Sequence, residues 1–194
     1  MLSVIIATFN SERPLVRTLA ALVPGATAGL VSEVLIADGG SQDETAAVAD
    51  VAGCDFLLAE GPLGRRLKSA AASARAPWLV FLRPGTIPDT PWTAEVRGFV
   101  EQASPPGRAA VFRRAGSTPS GLRDAFTLIG TALGARPRAE QGLIIAKEFY
   151  RQIGGHSERA ADPETDLIRR IGRRRIQTLS TGALTAGRRR QILD

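Results

Sequence analysis

Apolar positions fall along this chain in short continuous runs that alternate with helical repeats. Ser3–Ala7 is a β-branched and apolar run that ends at the polar Thr8-Phe9-Asn10-Ser11, and it predicts a buried strand. Leu15, Val16, Leu19, Leu22 and Val23 then recur at helical spacing. Pro14 sits where a first turn tolerates a missing N–H, and Pro24-Gly25 predicts the stop. Glu33–Ala37 repeats the strand pattern and breaks at Asp38-Gly39-Gly40. Ser41 and Glu44 have the spacing of a capping box, which predicts a helix toward Val51. Cys54–Leu58 reads as a third strand and the Ala-rich Leu67–Arg75 as a helix. Trp78–Leu82 is continuous and apolar, like a strand buried on both faces. Strands separated by helices in this way predict parallel pairing with right-handed crossovers.

The pattern after Leu82 is less regular. Thr90-Pro91 predicts the start of a helix to about Gln102, and Ala109–Arg113 a strand. Leu122, Ala125, Phe126, Ile129 and Leu133 predict an amphipathic helix before the Gly134–Pro137 break. Gly142–Ala146 reads as a strand, Glu148–Ile153 as a short helix stopped by Gly154-Gly155, and Leu167, Ile168 and Ile171 as a last helix. No internal repeat or linker interrupts the 194 residues, a length suited to one domain with a sizeable core. The expectation is therefore a single α/β domain with a mostly parallel central sheet flanked by helices. A half at about 1–88 would carry ligand loops, a second half would run from 89 to 180, and a basic tail from 181 to 194.

Composition narrows the setting. Hydrophobic content of 44% argues against disorder. The single Cys54 excludes an internal disulfide and suits a reducing cytoplasm. No apolar run is long enough to span a membrane, and Met1–Ala7 is too short for a signal-peptide core and lacks a basic leader. The net charge of +6 is concentrated late, at Arg169, Arg170, Arg173, Arg174 and Arg175 and at Arg188, Arg189 and Arg190. These clusters suit phosphates or peripheral contact with the inner face of an anionic membrane, or else form a solvated face. No helix-turn-helix or stacking-aromatic pattern accompanies them, which argues against specific nucleic-acid recognition. The single His156, next to a Gly turn, reads as a surface residue without a catalytic role, and one His with one Cys excludes the usual zinc spacings.

In an open parallel sheet, ligands bind beyond the carboxyl ends of the strands. Thr8–Glu12, Asp38–Asp43 and Arg83–Pro88 lie at such ends. Gly39 and Gly40 permit close backbone approach, and Asp38 offers an acceptor for a base N–H or a ribose hydroxyl. Taken alone, Asp-Gly-Gly-Ser is a common strand-to-helix turn. The combination carries more. Val4-Ile5-Ile6-Ala7-Thr8-Phe9-Asn10-Ser11-Glu12 followed by Val34 to Thr45, with Asp38-Gly39-Gly40-Ser41-Gln42-Asp43, resembles the opening of the family-2 glycosyltransferases of the GT-A fold. Arg65-Arg66-Leu67-Lys68-Ser69-Ala70-Ala71, Trp78–Leu82, Glu140-Gln141-Gly142-Leu143-Ile144 and Pro163–Ile171 resemble later segments of that family, more weakly.

The resemblance implies a Rossmann-like GT-A domain that transfers a sugar from a nucleotide-diphosphate donor to an acceptor the sequence does not name. Thr8, Asn10, Glu12, Asp38, Gly39 and Asp43 would line the nucleotide pocket, with Arg65 near it. A carboxylate would take the acceptor's proton, and Glu164 and Asp166 stand in the matching segment. First-turn acids favoured by the helix dipole are the other reading of this pair. The family norm is also a manganese or magnesium ion held by an acidic motif after the fourth strand. Here that text is Arg83-Pro84-Gly85-Thr86, while Arg66 and Lys68 replace the usual Gln and Asn. Two readings follow. Either Arg65, Arg66, Lys68 and Arg83 stand in for the metal on the diphosphate, or the site is inactive and the fold serves as a nucleotide-binding or protein-interaction module.

Overall fold

The computed structural model describes residues 1–102, 107–114 and 137–185. Its first half alternates β1 (Leu2–Thr8), α1 (Glu12–Thr27), β2 (Val31–Asp38), α2 (Thr45–Val51), β3 (Asp55–Leu58), α3 (Leu63–Ser73) and β4 (Trp78–Leu82). Then come β5 (Thr86–Pro88), α4 (Trp92–Gln102), β6 (Ala109–Arg114), β7 (Leu143–Ala146), α5 (Lys147–Gln152), α6 (Pro163–Ile171) and β8 (Ile176–Thr185). The strands form one eight-stranded sheet in the order β3-β2-β1-β4-β7-β6-β8-β5. Pairing is parallel from β3 through β4; β7 runs antiparallel to β4 and β6, and β5 antiparallel to β8. β6 and β8 pair in parallel.

The continuous apolar runs have a direct structural cause. β1 is the middle of the parallel half, with Ile5 opposite Leu35 on one side and Phe81 on the other. Helices α1 and α3 pack on the sheet, and Leu2, Val4, Ile5 and Ile6 are all fully buried. Each such side chain contributes roughly 1.5–3 kcal/mol by leaving water. The parallel pairing also brings Thr8 level with Asp38, so two polar strand ends open at the same edge of the sheet.

Several sequence expectations change. Pro24-Gly25 does not end α1, which runs on to Thr27. Gly25 faces inward, where a Cβ would lie 2.5 Å from the Trp92 ring, and the Trp92 Nε1–H donates to the Ala21 carbonyl at 3.1 Å. Docking of α4 therefore stabilises a turn that local propensity would break. The capping box does not form either. Ser41 turns its hydroxyl to Asp38, and α2 begins at Thr45 without a side-chain cap. Helix α3 starts at Leu63, a turn before Leu67, which places Arg65 and Arg66 inside it. Residues 181–185 are not tail but the end of β8, hydrogen-bonded between β6 and β5. The helix expected around Leu122–Leu133 and the cluster Arg188–Arg190 lie outside the described residues. Arg173, Arg174 and Arg175 form an exposed 3-10 turn, with the Arg175 guanidinium 5.4 Å over the Phe149 ring. Among the described residues, no helix is long and apolar enough to cross a membrane.

Candidate active site

A cleft of about 860 Å³ opens at the carboxyl ends of β1 and β4. Thr8, Arg66, Phe81, Arg83, Glu140 and Glu164 are among its lining residues. Its two walls differ in how their charges are held.

The first wall is made by the loop after β1, which the loop after β2 backs. Asp38, at the end of β2, is only 1% exposed. Its Oδ1 accepts from the Thr8 hydroxyl at 2.6 Å and the Ser41 hydroxyl at 2.6 Å. Its Oδ2 accepts from the Gly40 N–H at 2.8 Å and the Ser41 N–H at 2.7 Å. Burial works to raise the Asp38 carboxyl, but the hydrogen bonds from Ser41 and Thr8 outweigh it and hold the group below its ordinary value. The expected open acceptor is therefore a loop organiser with its lone pairs in use.

Asn10, at φ 46°, accepts from the Gln42 N–H at 2.8 Å and donates its own N–H to the Ser41 hydroxyl at 2.8 Å. Asp43 accepts from the Glu12 N–H at 3.1 Å and the Thr45 hydroxyl at 2.5 Å. Asn10, Glu12 and Asp43 thus knit the two loops together, and of the expected nucleotide-pocket residues only Thr8 is itself on the cleft wall. Gly39 has a packing reason to be glycine: a Cβ there would lie 2.6 Å from Arg66 Nη1. That nitrogen donates to the Thr8 and Ala37 carbonyls at 2.9 and 3.1 Å. Burial pulls Arg66 below its ordinary value, opposed by the neighbouring Asp38.

The second wall joins the end of β4 to the start of α6. Asp162 caps α6, accepting from the Thr165 N–H at 3.1 Å, with Pro163 in the first turn. Leu167 and Ile171 are fully buried and fix the helix face, so Glu164 points into the cleft. Arg83 donates to Glu164 Oε2 from Nε at 2.9 Å and from Nη2 at 2.5 Å, and its Nη1 lies 3.5 Å from Glu140 Oε1. The pair is largely sheltered, with side-chain exposures of 22% for Arg83 and 13% for Glu164. Burial alone would lower Arg83; Glu164, then Glu140 and Asp162, reverse that and raise it above its ordinary value.

Other expected site residues lie elsewhere. Arg65 pairs with Glu158 at 3.0 Å, and Lys68 lies 3.9 Å from the same carboxylate, both on the exposed face of α3. Asp166 points away from the cleft and meets Arg170 at 2.8 Å and Arg169 at 2.7 Å. Arg170 in turn donates to the Ile153 and Gly155 carbonyls at 2.5 and 2.6 Å, so Asp166 braces the Gly154-Gly155 turn. His156 is not on the surface. It is 1% exposed, with its ring centroid 4.7 Å from that of Phe81, which lines the cleft. The Tyr150 hydroxyl accepts from the His156 backbone N–H at 3.0 Å and shares a hydrogen bond with the ring Nδ1 at 2.9 Å. Burial and then Arg170 push His156 down to about 3, so the ring is neutral and structural. Arg114, Arg138 and the β8 residues Ala183 and Leu184 also border the cleft. No sequence signal marked them, because they arrive from the irregular half and from a strand the pattern did not show.

The residues at the end of β4 do not fit a divalent cation. A guanidinium stands there against two carboxylates, and among the described residues no group of three or more His, Cys, Asp or Glu is placed to hold a metal.

Sheet order, strand-end loops and cleft together define a GT-A fold. Residues 3–82 match the model of glycosyl transferase family 2. Among solved structures the chain is similar to glucosyl-3-phosphoglycerate synthase from Mycobacterium tuberculosis, with 19% identity, 99% of this chain and 74% of that chain covered, and a TM-score of 0.72. The same enzyme with Mg2+ and uridine diphosphate matches at 18% identity over 97% of this chain and 72% of that chain, with a TM-score of 0.71. At such identities the likeness shows the fold. No curated relative matched the sequence.

Proposed function

We propose that this protein transfers a sugar from a nucleotide-diphosphate donor to an acceptor hydroxyl, with Arg83 in place of a divalent cation and Glu164 as general base. The observation that carries this reading is the Arg83–Glu164 pair at the carboxyl end of β4, inside the cleft. A diphosphate entering a partly dry cleft must be neutralised there, or its desolvation is prohibitive. Arg83 supplies charge at that strand end, with Arg66 on the other wall of the same cleft. Each charge-assisted contact contributes on the order of 1.5–3 kcal/mol, so two can replace a weakly held ion. The uridine diphosphate bound by the similar solved enzyme makes UDP the first donor product to try.

Titration calorimetry with UDP tests the reading. Binding should change little between EDTA and manganese, and Arg83→Ala should weaken it about tenfold or more. Strong manganese dependence would refute the cationic substitution. A second reading, a binding module without turnover, draws support from Asp38 and Arg83, whose hydrogen-bonding groups already meet partners within the protein. UDP binding without transfer to any acceptor, or slow hydrolysis of the donor, would favour it. Absence of binding to UDP and to the other nucleoside diphosphates under all conditions would overturn the transferase reading.

A further inference from the structure

The Arg83–Glu164 pair presents a difficulty for any direct role of either residue, and its geometry points to a resolution. Nε and Nη2 of Arg83 both converge on one oxygen, Glu164 Oε2, while Nη1 faces Glu140. As long as this holds, the cation is neutralised by protein carboxylates. The oxygen that would receive an acceptor's proton is likewise covered by two N–H groups. We propose that Glu164 and the donor's diphosphate compete for Arg83, so that donor binding uncovers the base. This rests on the transferase reading above.

The exchange is physically accessible because of the kind of contact involved. Asp38 is held by two backbone N–H groups and two hydroxyls of its own and the facing loop, and releasing it would undo the loops. Glu164 is held by a side chain with five donors on a flexible stem, at the edge of an open cleft. A diphosphate carries more charge than one carboxylate and presents several oxygens in the fork geometry that a guanidinium fits. Arg83 can turn Nε and Nη2 to the diphosphate, and Glu140 remains a third partner that keeps the guanidinium at the strand end.

The transfer step then balances. The acceptor oxygen forms a bond to the anomeric carbon as that carbon's bond to the diphosphate oxygen breaks. The electron pair leaves with the nucleoside diphosphate, whose added charge meets Arg83. The hydroxyl proton passes to Glu164, now free of Arg83. Without donor, Glu164 is covered, which predicts ordered binding with the donor first.

The test is UDP affinity in Glu164→Gln, read with and without Arg83, because a carboxylate that only repels the diphosphate acts in both backgrounds. Under exchange, the neutral amide is a weaker competitor, and the UDP Kd should fall about tenfold. Glu140→Gln, removing the longer contact, should lower it only a few-fold. In an Arg83→Gln background, Glu164→Gln should have no effect beyond about twofold, since the object of competition is gone. Glu164→Ala gives the same comparison should the glutamine variant fold poorly. If the wild type binds UDP and neither Glu164 variant binds it more tightly, the exchange is wrong while the donor reading stands. If wild type and variants all fail to bind UDP and the other nucleoside diphosphates, the donor reading falls and takes the exchange with it.

Discussion

The two walls of the cleft hold their carboxylates in opposite ways. On the β1/β2 wall, Asp38 and Asp43 are satisfied by amides and hydroxyls within the loops they organise. On the β4/α6 wall, Glu164 is held by a cation, Arg83, whose guanidinium also faces Glu140. Amide and hydroxyl donors are covalently part of the loop, so those carboxylates cannot change partner without local unfolding. A guanidinium can exchange one anion for another. The first wall is therefore held more rigidly than the second, although the sequence motif that advertises ligand binding most strongly belongs to the first.

Breaking each wall should have different consequences, and the largest belongs to the second. Glu164→Gln should lower donor turnover by about 10²- to 10⁴-fold, the usual effect of losing a general base, and should also lower the melting temperature, because Arg83 loses its nearer carboxylate. A turnover loss matched by Asp166→Asn would blur the distinction between a residue in the cleft and one outside it. On the first wall, Asp38→Ala should cost about 3 kcal/mol of stability in urea unfolding, because four donors lose their acceptor at once. The same carboxylate gives an acid limit. Its folded value is depressed, so its stabilisation is full above the unfolded value near 3.8 and is lost as pH falls through the lower folded one.

The ring packed behind the cleft adds a pH dependence of its own. His156 is held near 3 in the fold against about 6.5 unfolded, so between those values the unfolded chain binds the extra proton. Stability should fall as pH drops from 6.5 to 5, by about 2 kcal/mol, and His156→Gln should flatten that slope. The smallest effect is expected on α3. Arg65→Ala and Lys68→Ala remove exposed contacts to Glu158, and each should change stability by less than about 0.5 kcal/mol and leave UDP affinity unaltered. A tenfold loss of UDP binding in either would move the diphosphate site off the Arg83 wall.

Much of the first half was legible because its elements are local. Trp78–Leu82 is a strand with the bounds its apolar run implies, and the polar break after Ala7 does mark the cleft edge. Where reading failed, a distant residue had intervened. Trp92 carries α1 past Pro24, and Asp38 takes Ser41 away from a cap. β8 is a mixed polar run, Ile176–Thr185, that becomes a strand only because β5 and β6 supply partners on its two sides. His156 looked exposed beside two glycines, yet Tyr150 and Phe81 enclose it.

The sequence by itself determined the parallel half of the sheet, the strand-end loops and the loss of an acidic motif after β4, since these depend on residue type and short-range spacing. Tertiary structure alone decided which charges meet. Arg65, Arg66, Lys68 and Arg83 look equivalent as a list of cations, but helix α3 turns Arg66 under the strand ends and Arg65 and Lys68 toward Glu158. Glu164 and Asp166 are two residues apart, and on a helix that separation turns them to different sides. One meets Arg83 in the cleft and the other meets Arg170 outside it. Pairing across 81 residues of chain has no local signature, because its energy depends on distance and solvent exclusion, which exist only once the sheet has brought the end of β4 to the start of α6.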